Sequence, residues 1–104
     1  MASTVIGSTI VVDGEIVGDD DLVVLGTVKG RISVRDSVVV EAGAVVDASV
    51  EASVITVEGS VTGSLRASDR AELRADSRVV GDIQAPRIHI ADGASFRGSV
   101  EMDG

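Results

Sequence analysis

The sequence predicts an all-β fold, a single-stranded β-helix or solenoid of about six turns with about 17 residues in each turn. Three observations support this prediction. Apolar and polar residues alternate at the two-residue period of a strand, glycines recur every few residues, and the apolar pattern itself repeats. The stretch Val54 to Asp69, VITVEGSVTGSLRASD, shows the first two features. Such a segment cannot bury its apolar side chains alone and needs repeats above and below it.

Apolar residues recur in five columns, each with one member per turn. The first two columns are Ile10, Leu22, Val38, Ile55, Ala71, Ile88 and, two residues later, Val12, Val24, Val40, Val57, Leu73, Ile90. The third is Ile16, Val28, Val45, Val61, Val79, Phe96. The fourth and fifth begin in the second turn and are Ile32, Val50, Leu65, Ile83, Val100 and Val34, Ala52, Ala67, Ala85, Met102. Their shared period predicts three short strands in each turn and a rod about 29 Å long at the usual strand spacing.

The N-terminal part of the chain is expected to differ from the regular turns. Residues 1–8 form a short lead-in, and residues 9–104 form the solenoid domain. We expect Val5 and Ile6 to fold over the open first turn as a partial lid. The first turn is predicted to be truncated, because Gly18 and the acidic run 19–21 replace its fourth and fifth columns. The run lacks the spacing and closing glutamate of a calcium loop, which favours a solvated acidic corner.

One segment in the middle of the chain favours a different secondary structure. Arg66, Arg70, Arg74 and Arg78 recur every four residues, and the Ser-Asp pair at 68–69 is a possible helix cap. The apolar residues between these arginines nevertheless follow the period of the columns. We therefore expect this segment to join the coil, with a short helix as the alternative.

Composition limits the functions that the chain can have. Its 104 residues carry a net charge of -8, one histidine and no cysteine. An acidic chain does not fit sequence-independent nucleic-acid binding, which needs a basic surface. His89 is predicted to point outward, and no phosphate-binding loop or converging carboxylate pair is evident. No catalytic, metal or cofactor site is predicted, so the chain is not expected to be an enzyme. Without a signal-peptide pattern or a long apolar run, the cytoplasm is favoured.

The ends of the coil are the predicted sites of self-association. A coil ends in strands with unpaired backbone groups and in core side chains that face water. Burying about five apolar side chains per end would contribute a gross gain of about 15 to 30 kcal/mol before the cost of association. The expected polymerisation interface comprises Ile10, Val12, Ile16, Phe96, Val100 and Met102.

The outer faces of the coil offer a second candidate surface. Val11, Val23 and Val39 are expected to point outward and to form a lateral contact patch. The alternative is that they are ordinary β-formers on a solvated face.

Several segments resemble the bactofilin family: VIG near the start, GEIVGDDDLVVLGTVKGRI, GSVTGSLRA and VVGDIQAPRIHIADGASFRGSVEM. The resemblance covers nearly the whole chain, and Ala85 to Gly98 is its most specific part. It implies a right-handed, triangular β-helix that assembles end to end, without nucleotide, into non-polar cytoskeletal filaments in bacteria. Such filaments scaffold cell-shape, cell-wall or chromosome-segregation machinery. Phe96 matches the family's apolar residue at the filament contact in the last turn.

The resemblance also implies partners: other copies of this chain, bactofilin paralogues and client proteins. Many family members carry an N-terminal membrane-binding segment with aromatic and basic residues. Met1 to Ser8 has neither, so direct membrane binding is not expected. The alternative function is a non-polymerising β-solenoid binding module that presents its outer faces to a protein or polysaccharide. The assembly state separates the two hypotheses.

Overall fold

The chain coils into a parallel β-solenoid. The computed structural model describes residues 4–102, and all regular secondary structure in this range is β-strand. The strands are β1 (Thr4–Ile6), β2 (Val11–Gly18), β3 (Leu22–Val24), β4 (Thr27–Val34), β5 (Ser37–Val40), β6 (Val45–Val57), β7 (Ser60–Leu73), β8 (Arg78–Ala85), β9 (Ile88–Ile90) and β10 (Ser95–Met102). Paired strands are parallel and lie one turn apart along the chain. The longest extent of the molecule is 31 Å, close to the predicted rod length.

Each turn has three faces, which the strand ladders define. Face I comprises β1, β3, β5, the last residues of β6 and β7, and β9. Face II comprises the first three residues of β2, β4, β6, β7, β8 and β10. Face III comprises the residues that follow in the same strands, beyond the bend at Gly14 and its equivalents. The inward side chains of all three faces form one apolar core.

The predicted register is correct from the second turn onward except at Val45. Val46 pairs with Val28 and Val61, and it is fully buried, whereas Val45 is 44% exposed. The cause is the length of the corner between faces I and II. In the third turn this corner is a hydrogen-bonded four-residue turn, in which the Ala44 N–H donates to the Glu41 carbonyl at 3.0 Å.

The predicted register of the first turn is wrong. The members of the core columns in this turn are Ile6, Val12 and Ile16, which pair with Val24, Val28 and Ile32. The predicted truncation is also wrong, because the turn is complete and Gly18 pairs with Val34 in the fifth column. A four-residue turn again explains the error, since the Ile10 N–H donates to the Gly7 carbonyl at 3.1 Å.

This register also places the predicted lid and the predicted helix. Ile6 continues the core as part of β1, within the expected lead-in 1–8, and does not fold across the end. The helix alternative is wrong, because β7 runs to Leu73 and buries Ala71 and Leu73 in the core. The tertiary stacking of the columns therefore overrides the local helical spacing of the arginines.

Small residues line the bend between faces II and III. The column comprises Gly14, Gly30, Ala48, Gly63, Gly81 and Gly98. Gly81 has a φ of 134°, and a Cβ there would collide with the Gly63 carbonyl oxygen. Glycine therefore lets successive turns stack closely at this bend.

Candidate assembly surfaces

The C-terminal end of the rod is an open apolar surface, here called the C-terminal platform. It comprises Ile88, Ile90, Ala94, Phe96 and Val100. Ile90 is 46% exposed and Val100 is 42% exposed, while the other three are partly buried. Within the described residues, β9 pairs only with β7 and β10 pairs only with β8, so one edge of each strand has no partner. Core side chains and strand edges therefore meet water at the same end.

The N-terminal end presents a smaller apolar surface, here called the N-terminal platform. It comprises Ile10, Val12 and Ile16, of which Ile10 is 48% exposed. Ile6, in the same layer, is buried. Among the strands of the described chain, β1 pairs only with β3, and β2 only with β4. In the described chain, each end therefore has strands with one unpaired edge, but the two ends differ in the apolar area that they expose.

The predicted interface residues divide between these two ends. Phe96 and Val100 lie in the last turn, and Val12 and Ile16 lie in the first. Met102 belongs to β10, but its side chain lies outside the described residues. Sequence reasoning missed Ile90, although the sequence already made it the last member of the second column. That position in the final turn is the signal that identifies it.

The predicted lateral patch is not a single row. Val23 and Val39 are neighbours on face I, because β3 and β5 pair with Val23 opposite Val39. Val11 instead pairs with Thr27 on face II. Val5 occupies the equivalent position beside Val23 and is 57% exposed. The corrected outward row at the N-terminal end of face I is therefore Val5, Val23 and Val39.

An acidic corner, formed by Asp19, Asp20, Asp21 and Asp36, lies at the junction of faces III and I. Asp21 accepts hydrogen bonds from the Ser37 N–H at 3.3 Å and the Ser37 hydroxyl at 2.8 Å. The charge of Asp21 is the main cause that raises the pKa of Asp36 above its usual 3.8, with desolvation, a hydrogen bond to Asp21 and the charge of Asp20 acting the same way. Within residues 4–102, no group of three or more potential ligand side chains is arranged to hold a metal ion.

Concave surfaces also lie on the sides of the rod. One, of about 850 Å³, follows the junction of faces III and I and is lined by small, polar and charged side chains, including Arg35, Ser53 and Gln84. Another, of about 410 Å³, lies on face I near the C-terminal end and is here called the cationic hollow. Its lining residues are Arg70, Glu72, Arg87, Ile88 and His89.

The opening turns carry opposite charges in register. Arg31 lies 3.7 Å from Glu15, and Arg35 lies 3.4 Å from Asp19. All four side chains are more than half exposed, so each pair contributes about 0 to 1 kcal/mol. These pairs are compatible with the observed register between the first two turns, and they add little to the free energy of unfolding.

A coil whose parallel strands stack in register from turn to turn belongs to the class of β-solenoids. The family model of bactofilins, described as polymer-forming cytoskeletal proteins, matches residues 4–101. The chain belongs to the bactofilin family. Its members are structural proteins of the cytoskeleton and not enzymes.

Known bactofilins are similar to the chain over nearly its full length. It is 61% identical to bactofilin BacO of Myxococcus xanthus (strain DK1622) over 103 residues, which cover 99% of this chain and 82% of BacO. It is 44% identical to bactofilin BacP of the same strain over 100 residues, which cover 96% of this chain and 42% of BacP. The chain therefore spans less than half the length of BacP.

A solved structure confirms the predicted solenoid. The solid-state NMR structure of the cytoskeletal bactofilin BacA superposes with a TM-score of 0.88 at 26% sequence identity, covering 98% of this chain and 97% of BacA. In residues 4–102, no helix is long and apolar enough to cross a membrane.

Proposed function

We propose that this chain is the subunit of a bacterial cytoplasmic filament and polymerises end to end without nucleotide. The observation that carries the proposal is that exposed core side chains and open strand edges occur together at the ends of the rod, most clearly at Ile90 on β9 and Val100 on β10. A second copy docked there would bury the C-terminal platform and extend the strand ladders.

Apolar burial supplies the driving force in this proposal. Each of the four large platform side chains gains at most about 1.5 to 3 kcal/mol on full burial, while Ala94 and the side chains that are already partly buried gain less. Backbone hydrogen bonds between paired edges add about 0.5 to 1.5 kcal/mol each. These terms offset the cost of association, which is about 4 to 15 kcal/mol. The contact therefore requires no nucleotide hydrolysis.

Substituting Phe96 tests the proposal. Phe96→Arg places a charge on the C-terminal platform, so we expect loss of sedimenting polymer and retention of a folded monomer. The measurement is high-speed sedimentation without nucleotide, with circular dichroism melting to check the fold. The matched control is Val80→Arg, because Val80 is 48% exposed on face II and points away from both ends. Polymer formation by the folded Phe96→Arg variant would contradict the proposal.

We further propose that the filament acts as a scaffold, with bactofilin paralogues and client proteins for cell-shape, cell-wall or chromosome-segregation processes as its partners. An end contact that consists of strand edges and apolar side chains suits a related chain with the same fold. Co-sedimentation of this chain with BacO tests co-polymerisation. The conditions are chosen so that BacO by itself stays in the supernatant. We expect BacO to sediment with the wild-type chain and to remain in the supernatant with the Phe96→Arg variant.

A further inference from the structure

We propose that two rods of this protein pair side by side in antiparallel orientation, with the cationic hollow of each rod on the acidic corner of the other. The inference deepens the proposed function, because it turns single filaments into doublets. The contact itself needs only the folded rod.

Two arginines, Arg70 and Arg87, line the cationic hollow. Arg70 and Arg87 are one turn apart, and the N–H that follows Arg70, from Ala71, donates to the Arg87 carbonyl at 2.9 Å. In the described part of the chain, neither guanidinium has a carboxylate within 4.0 Å. Glu72 does not neutralise them fully, because it pairs with Arg74 at 2.8 Å. The hollow therefore suits an acidic partner.

The charge of the chain is distributed unevenly along the rod. Residues 1–64 carry three cations and ten acids, whereas residues 65–104 carry six cations and seven acids. The net charge is therefore -7 in the first part and -1 in the second, which together give the -8 of the whole chain. The acidic corner lies in the first part and the cationic hollow in the second.

The two groups lie along one edge of the rod. Ser37 donates a hydrogen bond to Asp21, which lies one turn nearer the N-terminal end. In the opposite direction, Ser37 is the strand neighbour of Val54, and Val54 is the strand neighbour of Arg70. Arg87 follows Arg70 one turn further. The row thus has an acid at one end, arginines at the other and uncharged residues between, with Asp21 and Arg70 about 14 Å apart at the strand spacing.

This row is complementary to itself only when a second copy is reversed. A two-fold axis that passes near Val54, perpendicular to the rods, sets Asp21 opposite Arg87, and sets Ser37, the neighbour of Asp36, opposite Arg70. Because the contact is isologous, each of these pairs occurs twice. A parallel copy in the same register would instead oppose like charges. An isologous contact closes on itself, so the expected product is a doublet and not an extended sheet.

Charge reversal in the hollow tests the pairing. We expect wild-type filaments to form doublets at low salt and to separate at high salt, since exposed charges are screened. The double variant Arg70→Glu with Arg87→Glu is expected to give single filaments with an unchanged yield of polymer. The control is Lys29→Glu with Arg78→Glu, which makes the same charge change on face II. Electron microscopy of filament width is the measurement.

A charge swap distinguishes a direct contact from a general effect of charge. Asp20→Arg with Asp36→Arg reverses the acidic corner but keeps the hydrogen bonds of Asp21 to Ser37. Each double variant alone should give single filaments, and mixing the two preformed filaments should restore doublets. Equal loss of doublets in the face II control, or no restoration on mixing, would overturn the proposal.

The pairing is testable even where end-to-end assembly fails. In the Phe96→Arg background, sedimentation equilibrium at low salt should show a dimer, and the two Glu substitutions should raise its dissociation constant at least about tenfold. A strictly monomeric Phe96→Arg chain would count against the pairing. Binding of soluble polyglutamate to the hollow without any rod dimer would also overturn it, since the partner would then be another acidic chain.

Discussion

Backbone contact, more than side-chain chemistry, restricts the residues at the bend between faces II and III. At Gly81 the carbonyl of Gly63 occupies the space that a Cβ would need, and φ is 134°. At Gly18, by contrast, an added Cβ would meet no atom within 4 Å, and φ is not positive. The two glycines therefore differ in what they require of the fold.

Gly81→Ala is expected to destabilise the rod by about 1 to 3 kcal/mol, because the backbone must shift or remain strained. Gly18→Ala is the matched control, with a change within about 1 kcal/mol in either direction. Urea denaturation of both variants, measured in the Phe96→Arg background to avoid polymer, gives the comparison. Equal stability of the two variants would show that close stacking at the bend is unimportant.

Electrostatic repulsion at the acidic corner sets a pH dependence. The pKa of Asp36 is raised, chiefly by Asp21, so the folded state binds this proton more tightly than the unfolded chain does. The contribution of Asp36 to stability therefore becomes more favourable as the pH falls through its folded pKa toward 3.8. At neutral pH its charge is unfavourable to folding.

Asp36→Asn should accordingly raise the melting temperature at about pH 7, and this gain should shrink at about pH 4. Thermal melts at both values, again in the Phe96→Arg background, measure the difference. Asp92→Asn, in the last turn, is the control for simple removal of one negative charge. A lower melting temperature for Asp36→Asn at neutral pH would contradict the repulsion.

At the scale of the strands and corners, corner length sets which residues face the core. The corner between faces I and II is a four-residue turn at Gly7–Ile10, Glu41–Ala44, Arg74–Ser77 and Ala91–Ala94, each closed by a hydrogen bond of 3.0 to 3.2 Å. In the second and fourth turns this corner has only two residues. Leu25–Gly26 separate β3 from β4, and Glu58–Gly59 separate β6 from β7. Two extra residues keep the alternation but displace the register that a constant corner would give.

This difference explains how much of the fold the sequence predicts. Alternation and repetition predict the solenoid and the columns on face III, because the strands there have constant lengths. They do not count the residues in a corner, so they place Val45 in the core instead of Val46 and displace the first turn. The last-turn residues Phe96 and Val100 are predictable from their columns. The cationic hollow depends on the outward neighbours in adjacent turns and needs the register.

The neighbouring residues Val45 and Val46 test the observed register. Val46→Arg is expected to destabilise the fold by several kcal/mol, on the order of 3 to 5, because it buries an unpaired charge. Val45→Arg should be tolerated within about 1 kcal/mol, since Val45 is exposed on face II. Circular dichroism with urea titration compares them. The reverse order of stability would restore the register that constant corners predict.

At the scale of the whole molecule, the two ends of the rod differ in exposed apolar surface and in charge. The C-terminal platform exposes more apolar side chain than the N-terminal platform, where Ile6 is already buried. The surrounding charges also differ, because Asp13, Glu15 and the acidic corner lie near the N-terminal end. We therefore expect the contacts made by the N-terminal end to be the more sensitive to salt.

Electron microscopy of the purified wild-type chain in negative stain, without nucleotide and at low and high salt, tests end-to-end polymerisation most directly. We expect filaments whose single-strand width matches the 22 to 24 Å cross-section of the rod, and which persist when high salt separates any doublets. Particles no longer than the 31 Å rod under both conditions would contradict end-to-end polymerisation. That result would favour the non-polymerising binding module.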